Sequence, residues 1–118
     1  MKILVVEDDE VTLKALEYRL RLSGYDISIA SDGEVATKLI KGETFDLIVS
    51  DILMPHANGM ELLNLVRREM KLSTPFIVMS FLGQPGNTRK AMEIGASDYV
   101  EKPIDVDELI AKIEKYKR

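Results

Sequence analysis

The sequence predicts an α/β fold: one domain built on a parallel five-stranded sheet with helices on both faces. Three observations predict it. Short apolar runs alternate five times with amphipathic stretches, the signature of repeated strand–helix units. The runs are more apolar than a sheet with one wet face would need, which suits strands covered on both sides. Polar residues also follow the runs at their C-terminal ends, as Glu7-Asp8-Asp9, Asp51, Ser80 and Lys102 do. In an open α/β sheet that rim is where ligands bind.

The first strand is the run Ile3-Leu4-Val5-Val6. A helix is expected from about Asp9 or Glu10, with Leu13, Leu16 and Leu20 on one face and Gly24 as its stop. Ile27-Ser28-Ile29 predicts a short strand at a sheet edge. Ser31-Asp32-Gly33-Glu34 has the spacing of a capping box. Val35, Leu39 and Ile40 are the expected buried face of the helix it opens, which Gly42 ends. The third strand covers Phe45 to Ser50 and delivers Asp51. A third helix is expected after Asn58-Gly59, with Leu62, Leu63, Val66 and Met70 as its apolar stripe. Pro75 starts the fourth strand, where a missing N–H is tolerated; Phe76 to Met79 carry it to Ser80. Gln84-Pro85-Gly86-Asn87 is expected to be a loop, followed by a helix from about Thr88 to Ile94 capped by Gly95. Tyr99-Val100-Glu101 form the fifth strand. Val106, Leu109, Ile110 and Ile113 define the last helix, with Asp105 and Glu108 as its start signal.

Composition narrows the function. The chain has 118 residues and a net charge of −4, enough for one domain and without a basic cluster that would bind nucleic acid directly. No apolar run approaches membrane-spanning length, and no membrane association is expected. There is no cysteine, which excludes a disulfide framework and thiol chemistry. With no export-signal layout after Met1, a cytoplasmic location is expected.

The rim residues carry the chemistry. Carboxylates of Glu7, Asp8 and Asp51 gathered at one sheet edge repel, at a cost of about 4 kcal/mol for a pair about 4 Å apart at an effective dielectric near 20. A proton or a divalent cation offsets that cost. Hard oxygen donors favour Mg²⁺ or Mn²⁺ over zinc. A lysine and a serine beside such a cation suggest phosphoryl chemistry, with a carboxylate as nucleophile. Asp51, at the end of the central strand, is the expected nucleophile.

Taken together, Ile3-Leu4-Val5-Val6-Glu7-Asp8-Asp9, Asp51-Ile52-Leu53-Met54-Pro55 with Asn58-Gly59, Ser80, and Gly95-Ala96-Ser97-Asp98-Tyr99-Val100-Glu101-Lys102-Pro103 resemble the receiver domain of two-component response regulators over essentially the whole chain. The resemblance implies a flavodoxin-like, doubly wound sheet of strand order 2-1-3-4-5. It implies that residues 1–118 are one receiver domain with no output domain. Asp51 would accept a phosphoryl group from a sensor histidine kinase or phosphotransfer protein. Asp8, Asp51 and the backbone carbonyl of Leu53 would hold Mg²⁺ (or Mn²⁺), with Glu7 acting through a water. Lys102 would pair with the phosphoryl group, and its bond to Pro103 would be cis. Ser80 would move toward the phosphoryl oxygen and Tyr99 would turn inward behind it. The face formed by the fourth helix, fifth strand and fifth helix would then change for a downstream protein or output domain, or pair two copies of the chain. Such a switch would catalyse its own phosphorylation and dephosphorylation in a limited sense but turn over no diffusible substrate, and so would not be an enzyme.

Plainer roles compete at several positions. Asp9 is read as a helix N-cap rather than a ligand. Ser80 also suits a turn, Tyr99 a half-buried strand, and His56 a solvated loop. Phe81 departs from the family pattern, in which the residue after the switch hydroxyl is usually small. With Leu53 and Leu82, it predicts a drier pocket and a long-lived phosphoryl group. Phe81 is also the best support for the rival reading, a pseudo-receiver acting as a constitutive interaction module. Other classes fit poorly: a haloacid-dehalogenase-like phosphatase needs a second Asp where Leu53 stands, a flavodoxin needs a phosphate-friendly first loop where this one is acidic, and a dinucleotide fold needs a glycine-rich first turn.

Overall fold

The structure is a computed structural model that describes residues 1–52, 59–81 and 85–117. Its five strands are β1 (Lys2–Val6), β2 (Asp26–Ala30), β3 (Leu47–Asp51), β4 (Phe76–Phe81) and β5 (Asp98–Lys102). They form one parallel sheet in the order β2-β1-β3-β4-β5. The helices are α1 (Glu10–Leu22), α2 (Gly33–Gly42), α3 (Gly59–Asn64), α4 (Pro85–Ile94) and α5 (Val106–Glu114); a π-helical turn, Leu65–Glu69, continues α3. The doubly wound fold expected from the sequence is the fold observed.

The apolar runs read as two-sided strands are two-sided. Ile3 and Val5 face α1 and α5, together with Leu47, Val49, Ile77 and Met79; Leu13, Leu16, Leu20, Leu109 and Ile113 close that layer. Leu4 and Val6 face the other way with Ile48, Phe76 and Val78, under Ala36, Ile40, Leu62, Leu63 and Val66. The edge strands β2 and β5 are only partly buried.

Local signals place most helix ends. Asp9 is the N-cap of α1, its carboxylate accepting from Thr12 N–H. Asp105 caps α5 by accepting from Asp107 and Glu108 N–H. At α2 the expectation is corrected by one position: Asp32, not Ser31, is the cap, accepting from Val35 N–H. Either side chain can cap, and the one whose backbone precedes the first helical residue wins. Val35 consequently faces solvent, while Ala36 and Ile40 are buried. The helix α4 begins at Pro85, inside the expected loop; proline suits a first helical position because its missing N–H would be unpaired there anyway. Met70 N–H donates to Leu65 O at 2.8 Å, a five-residue step that widens the end of the third helical segment.

Candidate functional site

Parallel strands bring Glu7, Asp51, Ser80 and Lys102 to one rim because each lies at or just beyond the end of a strand. Glu7 follows β1, Asp51 ends β3, Lys102 ends β5, and Ser80 is the penultimate residue of β4. Glu7, Asp51 and Ser80 are 0%, 2% and 3% exposed, whereas Asp8 is in solvent.

The ammonium of Lys102 bridges two of the acids. Its Nζ donates to Asp51 Oδ2 at 2.8 Å and lies 2.7 Å from Glu7 Oε2. The Glu7 contact is an ion contact without hydrogen-bond alignment. The other Glu7 oxygen accepts from Asp9 N–H at 3.2 Å. Burial pushes the Glu7 carboxyl up to about 7; the Lys102 ammonium opposes this and the Asp51 charge adds to it. Burial pulls on the Lys102 ammonium in the other direction, but the two carboxylates outweigh it and hold Lys102 above the usual lysine range. The hydroxyl of Thr12 holds Asp9 below the ordinary carboxylate value, as suits a charged N-cap.

One carboxylate oxygen from each of Glu7, Asp8 and Asp51 lies within 4.8 Å of the others. Three carboxylates face one ammonium, an excess of two formal negative charges. At that separation each carboxylate pair repels by about 3 kcal/mol at an effective dielectric near 20. The donors are all hard oxygens, and the cluster could hold a divalent cation of the Mg²⁺ class. Asp9 sits apart from it as a cap. The Leu53 carbonyl, His56 and Leu82 lie outside the described residues.

A cleft of about 760 Å³ opens over these groups, lined by Asp8, Asp51, Phe81, Lys102 and, toward α1, Val11. The Lys102–Pro103 peptide is cis, as expected. Phe81 is 52% exposed, and its ring centroid is 5.1 Å from Lys102 Nζ. Tyr99 lies on β5 with its side chain partly exposed, 38%. Lys112 Nζ is 5.0 Å from the Tyr99 ring centroid and donates to the Tyr99 carbonyl.

Two residues matter more than the sequence reading allowed. Gly59 does more than open a helix: its N–H donates to Ile52 O at 2.8 Å, and a Cβ there would lie 2.1 Å from the Asp51 carbonyl oxygen. The asparagine–glycine pair was a usable signal for that close approach. Thr88, expected only to start a helix, donates its hydroxyl to Ser80 Oγ at 2.9 Å. No sequence periodicity signals that contact, because Ser80 lies on β4 and Thr88 on α4, two elements of different period.

Comparison with known proteins places this geometry in context. The family model described as response regulator receiver domain matches residues 3–114. The Bacillus subtilis alkaline phosphatase synthesis transcriptional regulatory protein PhoP is 38% identical over 95% of this chain and 46% of its own. The chain spans about half the length of several curated relatives it matches. The Francisella response regulator 1452 receiver domain superposes with a TM-score of 0.90 at 33% identity, covering 98% of this chain and 94% of that one. The Vibrio cholerae chemotaxis response regulator CheY4 gives 0.89 at 26% identity, covering 98% of both chains. With the match running from the first strand into the last helix, the chain belongs to the response regulator receiver domain family.

Proposed function

We propose that this chain is a phosphorylation-operated signalling switch whose acceptor is Asp51. The observation that carries the reading is the Lys102 ammonium lodged between Asp51 and Glu7, at 2.8 and 2.7 Å, beside three clustered carboxylates. Asp51 oxygen attacks the phosphorus of a phosphohistidine on a sensor kinase or phosphotransfer protein. The new O–P bond forms as the N–P bond breaks, and the departing imidazole keeps the electron pair and takes a proton from solvent. Lys102 then pairs with a phosphoryl oxygen and disperses its charge.

Asp8 and Asp51, with the Leu53 carbonyl, would hold Mg²⁺ or Mn²⁺, and Glu7 would act through a water. The engagement of both Glu7 oxygens, by Lys102 and by Asp9 N–H, supports that indirect role. The cation supplies neutralisation of the phosphoryl oxygens as charge develops on them.

Ser80 donates to the phosphoryl oxygen in the active conformer, and Tyr99 turns in from its exposed position. The balance of the two conformers shifts toward the one the phosphoryl group binds better. The surface that reports the shift is α4, β5 and α5, read by a downstream protein, an output domain or a second copy of the chain. This domain contacts no nucleic acid itself and works in the cytoplasm. The names of its relatives as transcriptional regulators suggest a DNA-binding partner region in longer forms.

Mass spectrometry of the chain treated with acetyl phosphate and Mg²⁺ tests the reading. An adduct of one phosphoryl group on Asp51, absent from Asp51→Asn, is expected. No adduct on the unmodified chain would leave the pseudo-receiver instead.

A further inference from the structure

The buried hydroxyl of Ser80 is tied to α4. Thr88, the fourth residue of that helix, donates to Ser80 Oγ at 2.9 Å. Ser80 is 3% exposed on β4, and Thr88 is half-buried. The rest of α4 is thinly held. Ala91 is its one fully buried residue. Beyond its C-terminal end, Arg67 Nε donates to the Gly95 carbonyl at 2.9 Å. The Thr88 contact thus ties the first turn of α4 directly to the buried hydroxyl near the end of β4.

We propose that Thr88 is the positioning residue of the switch hydroxyl. Its bond holds Ser80 against α4 in the resting chain, and breaking it couples phosphorylation at Asp51 to release of the first turn of α4. This rests on the phosphoacceptor reading above. Within this proposal the two bonds are alternatives through displacement: changing between staggered χ1 rotamers carries a serine Oγ by about 2.3 Å. A move of that size away from α4 breaks a 2.9 Å contact. The resting conformer thus owns a hydrogen bond that the active one lacks. A net hydrogen bond of ordinary strength shifts such an equilibrium roughly two- to tenfold.

Thr88→Val removes the hydroxyl with little change of shape, and Thr88→Ser restores it. Beryllofluoride with Mg²⁺ is titrated into the 118-residue chain while amide resonances of residues 85–88 are followed by NMR. In Thr88→Val the midpoint is expected to fall two- to tenfold. Its resting resonances should already lie part of the way toward the saturated positions. Thr88→Ser should behave as the unmodified chain. In a Ser80→Ala background the valine substitution should leave the midpoint unmoved, because the bond it removes is already gone.

A Thr88→Val chain with unchanged resting resonances and midpoint overturns the proposal. So does a shift of equal size in the Ser80→Ala background, which would mean α4 is loosened without passing through Ser80. A full titration surviving in Asp51→Asn sinks the phosphoacceptor reading instead, and leaves the Thr88–Ser80 comparison at rest to be judged by its own shifts.

Discussion

The two faces of the sheet are fastened by different means. On one, α1 and α5 bury Leu13, Leu16, Leu20, Leu109 and Ile113, and both helices start at aspartate caps. Arg19 on α1 pairs with Asp107 on α5 at 2.8 Å, and the buried Tyr25 hydroxyl donates to Glu114. On the other face, α2 and α3 pack well but α4 contributes one fully buried alanine, the partly buried Ile94 and a hydroxyl contact. Buried apolar area resists displacement in proportion to its size. The tight face can hold the acids and Lys102 in place, while α4 can change position at small cost. A switch needs both kinds of attachment in one molecule.

Truncation offers the strongest challenge to that contrast. Leu16, 1% exposed, should cost about 2–5 kcal/mol as Leu16→Ala, through lost transfer energy and the cavity left behind. Ala91→Gly on α4 should cost about 1–2 kcal/mol, from the helix propensity of glycine and the lost burial of one methyl. Urea denaturation followed by circular dichroism measures both. Equal losses would mean that α4 is anchored as firmly as α1, and the contrast would be wrong.

The pH dependence of the metal-free chain comes next. Glu7 is fully buried just beyond the end of β1, and burial pushes its carboxyl up to about 7 from an ordinary 4.5. A raised acid binds its proton more tightly folded than unfolded. Its contribution is therefore complete below 4.5 and is lost as pH rises through 7. That contribution amounts to at most about 3 kcal/mol by linkage. With EDTA present, the melting temperature should rise as pH falls from about 8 to about 6, and Glu7→Gln should flatten that slope. Identical slopes in the two chains would show that water reaches Glu7 after all.

The sequence made the tight face far more legible than the loose one. Leucines at helical spacing and aspartates at helix starts are local signals, and α1 and α5 need nothing else. The rim acids and Lys102 were readable because strand ends coincide with polar residues, so topology alone brings them together. Asp32 displaced Ser31 as a cap because two competent side chains were adjacent and only the backbone path decides between them. Thr88 was invisible for a different reason. Its partner lies on β4 while Thr88 lies on α4, and no single periodicity runs from a strand into a helix.

Gly59 offers a smaller perturbation where α3 meets β3. A Cβ there would lie 2.1 Å from the Asp51 carbonyl oxygen, so backbone has to shift. Gly59→Ala should cost about 1–3 kcal/mol, the usual range for overpacking. It should also slow phosphoryl transfer from acetyl phosphate, since the acceptor's own carbonyl is displaced. Destabilisation with an unchanged transfer rate would show that α3 docks on β3 without setting the position of Asp51.

Phe81 sits on the seam between the two kinds of attachment, and its effect should be the smallest. It ends β4, whose chain runs on toward α4, and its register partner is Lys102, whose chain runs on toward α5. Its ring stands 5.1 Å from Nζ but is half exposed, so it covers the ammonium from one side only. A cation–π contact at an exposed site contributes about 0.5–1 kcal/mol, which is roughly two- to fivefold in a rate. Phe81→Ala should shorten the half-life of labelled phosphoprotein by that factor, by admitting water beside the acyl phosphate and loosening Lys102. Phe81→Leu separates the two causes, because leucine keeps apolar cover and removes the ring face. A leucine chain that retains the long half-life assigns the effect to exclusion of water; one that matches alanine assigns it to the grip on Lys102. An alanine chain with an unchanged half-life rejects both, and the ring would then be a bystander at the mouth of the cleft.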